Sequence, residues 1–177
     1  MNRAITAAAA VTAAVLLAGC SAASTTPKTV SSGQAGQPAP TAAPSKATAD
    51  AAGAFTAIAA AVPSAKLGTT VTAENDPNHL LGRPNGYTSK ITFTDSRIPA
   101  EQTEGHEPDD LELGGSIEVF PTAAGAKARA DYIQAAGKAM PALGEYDYVH
   151  GTAVIRLSQL LTPAQAADYE KAAATLP

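Results

Sequence analysis

The densest chemistry in the chain lies at positions 76–87, which read Asp-Pro-Asn-His-Leu-Leu-Gly-Arg-Pro-Asn-Gly-Tyr. Prolines and glycines punctuate this run and limit its freedom, so its polar side chains can be held in fixed relation. In such a loop Arg83 is a guanidinium fork for a carboxylate or phosphate, Asn85 offers an amide, and Tyr87 offers a stacking face. The same residues also suit a plain connection, in which Asp76 caps, Gly82 and Gly86 turn, Leu80 and Leu81 plug the core and Arg83 pairs with an acid. A second recognition surface is offered by Tyr146 and Tyr148, which fall on one side of a strand. Beside Arg83 or Arg156 they make an aromatic–cation patch of the kind used in recognition. Their alternative role is to cover small, Ala-rich helices.

Positions 95–112 hold seven of the sixteen acids against a single Arg97, with His106 among them. Calcium takes six to eight oxygen ligands, so Glu104, His106, Glu107, Asp109 and Asp110 form a candidate cation loop. The spacing departs from the EF-hand pattern, and zinc would need more nitrogen or sulfur ligands than His106 supplies. A solvated hairpin loop is the competing reading.

Catalysis has little support. The chain has no G-x-S-x-G elbow. Its three histidines, His79, His106 and His150, are not tied to a nucleophile by any recognisable spacing. Glu118 and Glu145 fall on predicted strands, where charges alternating with apolar residues read as a solvated sheet face. The expectation is a protein without catalytic activity and without a cofactor.

These residues must be positioned by a small set of elements. A helix is predicted over 51–62, capped by Thr48 or Asp50, with Phe55, Ile58 and Val62 on one stripe and Pro63 past its end. Positions 87–94 alternate, with Tyr87, Ser89, Ile91 and Phe93 on one side and a Thr/Lys side free to face water. Positions 116–120 form a second strand. Thr122 caps a helix that runs to about Ala136, with Ala126, Ala130 and Ile133 inward and Gly137 as its stop. Positions 145–157 read as two strands or one bent strand, with Gly151 at the bend, and Thr162-Pro163-Ala164-Gln165 is a capping box that opens a terminal helix. Its buried stripe is Ala166, Tyr169, Ala173 and Leu176. The fold class that follows is α+β: a small antiparallel sheet with helices packed on one face, a two-layer sandwich.

The ends of the chain speak about location. Arg3 precedes an apolar run over 5–17 that closes on Leu17-Ala18-Gly19-Cys20. This run is short for a membrane span, which needs about 20 strongly apolar residues. It resembles the lipobox of bacterial lipoproteins, and the resemblance covers positions 1–22. It implies a signal peptide at 1–19, removal before Cys20, and a diacylglyceryl group on Cys20 that holds the protein on the extracytoplasmic face of the cell membrane. Two or more acyl chains on one residue give stable anchoring, each buried methylene contributing roughly 0.8 kcal/mol. Cys20 is the only cysteine, so an intrachain disulfide and a thiolate metal site are both excluded.

Positions 20–47 are Ser, Thr, Pro, Ala, Gly and Gln with almost no large apolar residue, which predicts a disordered tether reaching about 30 Å. One α+β domain is expected over 48–177. The formal net charge of −4 lacks the basic footprint of a nucleic-acid binder. The 76–87 loop, the 116–120 strand, the Tyr-x-Tyr strand and the Leu-Thr-Pro-Ala-Gln-Ala run resemble small uncharacterised lipoproteins of actinobacterial type, and that resemblance implies no activity. Together these features predict an anchored binding or interaction lipoprotein whose partner is an envelope protein or the cell wall. The alternative is a calcium- or metal-responsive lipoprotein using the 95–112 loop.

Overall fold

In a computed structural model, the structure describes residues 50–177. The signal peptide, Cys20 and the tether read from the sequence lie outside the described residues. Five antiparallel strands form one sheet in the order β1-β2-β3-β5-β4. They are β1 (Ala65–Thr70), β2 (Ser89–Asp95), β3 (Gly114–Val119), β4 (Glu145–His150) and β5 (Ala153–Ser158). Three helices, α1 (Ala51–Ala61), α2 (Ala123–Ala139) and α3 (Pro163–Ala173), complete the α+β fold. None of the described helices is long and apolar enough to cross a membrane.

The local signals act as their chemistry dictates. Asp50 caps α1 by accepting the Gly53 N–H, and Thr122 caps α2 by accepting that of Gly125. Thr162 and Gln165 close the reciprocal capping box of α3. Gly151 turns β4 into β5 at φ 55°, a left-handed conformation that favours glycine. Gly137 is not a stop: α2 continues to Ala139 and ends at Met140, before Pro141. Proline, with no N–H to donate, is the stronger terminator. The edge strand β1 carries no sequence signal, because AKLGTT has no alternation and only Ala65 is buried.

Register sorts the side chains onto two faces. Ile91, Ile117 and Ile155 stand opposite one another across β2, β3 and β5, as do Phe93, Gly115 and Leu157. This apolar face is covered by α1 and α3. Phe93 packs between Phe55 of α1 and Tyr169 of α3, with ring centroids 5.7 and 5.5 Å away. Gly115 is required beneath that ring, since a Cβ there would come within 2.6 Å of Phe93 Cζ. The Tyr169 hydroxyl donates to Asp95 Oδ2 at 2.6 Å, and Arg97 clamps Asp95 and reaches Asp168 at 3.0 Å. Asp95 and Arg97 therefore tie β2 to α3.

The opposite face differs from the expectation. Lys90 and Thr92 do not face water: both are buried, with the short Leu111–Leu113 turn packed over β2 and Pro77 and Asn78 beside it, while α2 packs on the same side over β4 and β5. Helices thus cover both faces: two on the apolar one, as expected, and α2 on the polar one. Ala126, Ala130, Phe120, Val154 and Tyr87 make a second, smaller apolar cluster under α2. Tyr87 belongs to this side because ladder pairing begins only at Ser89, so the alternation does not extend back to it.

Candidate functional site: a charged floor beneath a polar groove

The floor is set by strand register. Lys90 stands opposite Glu118, and Thr92, Ser116, Arg156 and Asp147 line up in one row across four strands, all toward α2. Glu118 is completely buried and meets three cations. Arg129 of α2 donates through Nε at 2.8 Å, Arg156 through Nη1 at 3.0 Å, and Lys90 Nζ lies 3.4 Å away. Arg156 also grips Glu145 through Nε at 2.7 Å and Nη2 at 2.8 Å. Burial alone would push the Glu118 carboxyl up, but the Arg129 hydrogen bonds and the charges of Arg156, Arg129 and Lys90 hold it low. Burial pulls the Lys90 ammonium below its ordinary value, against the attraction of Glu118.

Glu118 and Glu145 are therefore not a solvated sheet face. They are the two buried acceptors that Arg156 bridges. Asp147 completes the row at the edge strand, taking a hydrogen bond from Gln134 Nε2 of α2. Burial, then the neighbouring Glu145, raise its carboxyl to about 7.

A groove runs over this floor between α2 and the 76–87 loop. Its wider part, about 730 Å³, is lined by Asn78, Asn85, Thr122, Arg129 and Tyr132 among others. Its middle holds about 350 Å³ and shares Asn78, Arg129 and Tyr132 with the first part, adding Glu112, Glu145 and Arg156. Tyr132 stands at the lip, 68% exposed. Arg129 spends Nε and Nη2 on Glu118, so its Nη1 has no hydrogen-bond partner among the described residues.

The loop wall is held by Asp76, which is buried and works as a hub. Its carboxylate accepts the N–H groups of Asn78, Leu80 and Leu81 at 3.1, 2.7 and 2.8 Å, and the Tyr87 hydroxyl. Burial acts to raise this carboxyl, but the Tyr87 hydroxyl and the three backbone donors outweigh it and bring it down to about 2. Gly86 is obligatory in this wall, because a Cβ there would overlap the Leu80 carbonyl oxygen at 1.9 Å.

The residues singled out from the sequence are distributed as follows. Asn85 lines the groove, while Arg83 is exposed on the loop outside its lining. Tyr87 is fully buried, edge-on to Phe120, and offers no stacking face to a partner. Tyr146 and Tyr148 stand opposite Leu157 and Ile155 on the apolar face, partly buried against its core, and the Tyr146 hydroxyl donates to the Leu161 carbonyl at 3.2 Å. They lie across the sheet from the 76–87 loop, so the two candidate surfaces are not one patch.

The acidic loop also separates. His106 Nδ1 lies 3.3 Å from Asp110 and 3.9 Å from Glu112, and these three offer ligand atoms within 4.8 Å of one another. Glu104 and Glu107 are exposed and stand outside that group, and Asp109 accepts the Thr92 hydroxyl at 3.2 Å.

Of the floor residues, only Arg129 carries no expectation from the sequence; Lys90 and Glu118 read there as water-facing, and Arg156 as part of an aromatic–cation patch. The available signal was a charge in the middle of each of two otherwise apolar strands, Glu118 and Arg156. No protein-family model, no curated protein and no solved structure matches the chain.

Proposed function

We propose that this protein is a lipid-anchored binding lipoprotein of the extracytoplasmic membrane face. It acts without catalysis, and its working surface is the groove between α2 and the 76–87 loop. The anchor is Cys20 and the spacer is the 20–47 segment, both read from the sequence. The observation that carries the binding assignment is the groove itself. Amide, hydroxyl, guanidinium and exposed aromatic groups from two separate elements converge on about 730 Å³ of space, which meets the charged floor at Arg129. Clefts with a few convergent polar groups on a rigid scaffold are the usual form of a ligand site. The occupant on this reading is a polar component of the envelope or the cell wall.

The test is a photo-crosslinking residue in place of Tyr132 in the lipidated protein, in its native cells. A discrete adduct is expected, weakened in a Cys20→Ala variant that no longer incorporates labelled palmitate. Lysates without an adduct, with the protein correctly lipidated, would remove the groove from the assignment.

A second reading rests on His106, Asp110 and Glu112, whose mutual distances suit one divalent cation better than the wider acidic loop does. A metal at 100 times its Kd would stabilise the fold by about 2.7 kcal/mol. Unchanged melting with millimolar zinc or calcium would dispose of it.

A further inference from the structure

The groove continues inward to a third, smaller space of about 200 Å³, connected to the middle part through Asn78, Leu111 and Arg156. Lys90, Ser116 and Arg156 form its inner wall, and Asp109 and Asp110 lie on its outer side. We infer that this inner end binds a small amino-acid-like zwitterion, its carboxylate on Lys90, Ser116 and Arg156 and its ammonium group on Asp109 and Asp110. The inference rests on the groove being the working surface.

Three observations carry it. The first is Ser116. This residue is 2% exposed, and its Oγ has no hydrogen-bond partner among the described residues. Buried hydroxyls are ordinarily satisfied, because leaving one unpaired costs about 1–3 kcal/mol. Here the orphan lies on the wall of a polar space with Thr92 and Arg156 beside it in the same cross-strand row. A carboxylate oxygen would accept its proton.

The second is charge. Lys90, Arg129 and Arg156 meet two carboxylates, Glu118 and Glu145. Asp147, the remaining acid in the row, is raised to about 7 by burial and Glu145. Three cations against two carboxylates and a partly protonated Asp147 leave the floor a small positive surplus, which favours a carboxylate over it. Lys90 is the cation most in need of it, since burial already opposes its charge.

The third is the pair of acids opposite. Asp109 and Asp110 would repel a simple anion, and a dianion such as phosphate more strongly. A ligand that places an ammonium group behind its carboxylate removes that repulsion. The space limits its size, since 200 Å³ equals the share of roughly six or seven waters at about 30 Å³ each.

The experiment uses the full lipidated protein in detergent micelles and four probes: alanine, propionate, ethylamine and N-acetylalanine. Calorimetric titration should give saturable one-to-one binding of alanine, with the other three at least tenfold weaker. Ser116→Ala deletes a hydroxyl that makes no hydrogen bond, so its melting temperature should hold while alanine binding weakens about tenfold. Lys90→Gln should abolish binding, and Ser116→Ala decides the matter if that variant fails to fold. Failure of alanine to bind, or binding untouched by Ser116→Ala, would overturn the assignment. N-acetylalanine binding as tightly as alanine would overturn it as well, since no ammonium would then be needed. An adduct at Tyr132 with no alanine binding would leave the groove standing and sink only this inference. The absence of both would sink the two together.

Discussion

The two faces of this sheet are closed by different physics. On one, Ile91, Ile117 and Ile155 meet α1 and α3, and Phe93 fills the space between Phe55 and Tyr169. What that face requires is mainly volume, with the Asp95–Arg97–Tyr169 cluster tying α3 at its margin. On the other, α2 is held by Arg129 over Glu118, with Lys90 and Arg156 completing the shell. What this face requires is partners in a fixed geometry, because each charge taken from water costs several kcal/mol unless it is paired. Apolar packing fills its layer to contact. Ion pairing holds its helix at particular points and leaves space beside them, and the groove lies on that side.

The comparison can be broken most sharply at its charged centre. Glu118→Gln keeps the shape and leaves three cations without their shared carboxylate, so denaturant unfolding should show a loss of about 3–5 kcal/mol. A loss under about 1 kcal/mol would mean that the small apolar cluster, not the charges, holds α2. On the apolar face, Ile155→Ala should cost about 2–4 kcal/mol and respond little to added salt, and salt sensitivity there would blur the contrast.

Acid should next separate the loop wall from the rest. Asp76 has a folded pKa of about 2 against an ordinary 3.8, so its contribution is complete above about pH 4 and lost as the pH falls through 2. The difference in stability between wild type and Asp76→Asn should shrink by about 2 kcal/mol across that window, and a constant difference would count against the hub.

Asp147 has the opposite sign. Its folded pKa of about 7 lies above the ordinary 3.8, so the folded state keeps a proton that the unfolded chain has released. Stability should therefore decline as pH rises from about 4 to 7. Asp147→Asn should flatten that decline and gain on the order of 1 kcal/mol at pH 8. A destabilised Asn variant would show that the carboxylate is needed ionised. The smallest effect belongs to Arg83→Ala, which should change melting by less than about 0.5 kcal/mol and leave the Tyr132 adduct intact.

What could be read in the sequence was local. The caps at Asp50, Thr122 and Thr162, the turn at Gly151, the inward stripes of α1, α2 and α3, and the alternation of β2 from Ser89 onward all follow from neighbours within a few residues. What could not be read depended on contacts distant along the chain. Glu118 and Lys90 alternate as a solvated face would, and only the Leu111–Leu113 turn and Arg129 of α2 coming over them make them buried. Tyr87 shares the parity of Ile91 in sequence, yet it falls on the other side because it precedes the paired ladder. Tyr146 and Tyr148 share a face, as their spacing predicts, but it is the face that the groove does not share. Of the candidate binding residues, Asn85 lies in the groove, and of the candidate metal residues, His106 and Asp110 meet with Glu112.

Ion pairing around Glu118 closes the polar face and builds the groove floor. A double-mutant cycle between Glu118→Gln and Arg129→Met, run by urea unfolding, measures that pairing with the other cations left in place. The account predicts a coupling of about 2 kcal/mol or more. Additive effects, within about 0.5 kcal/mol, would contradict it and leave α2 resting on Ala126, Ala130 and Ile133 alone.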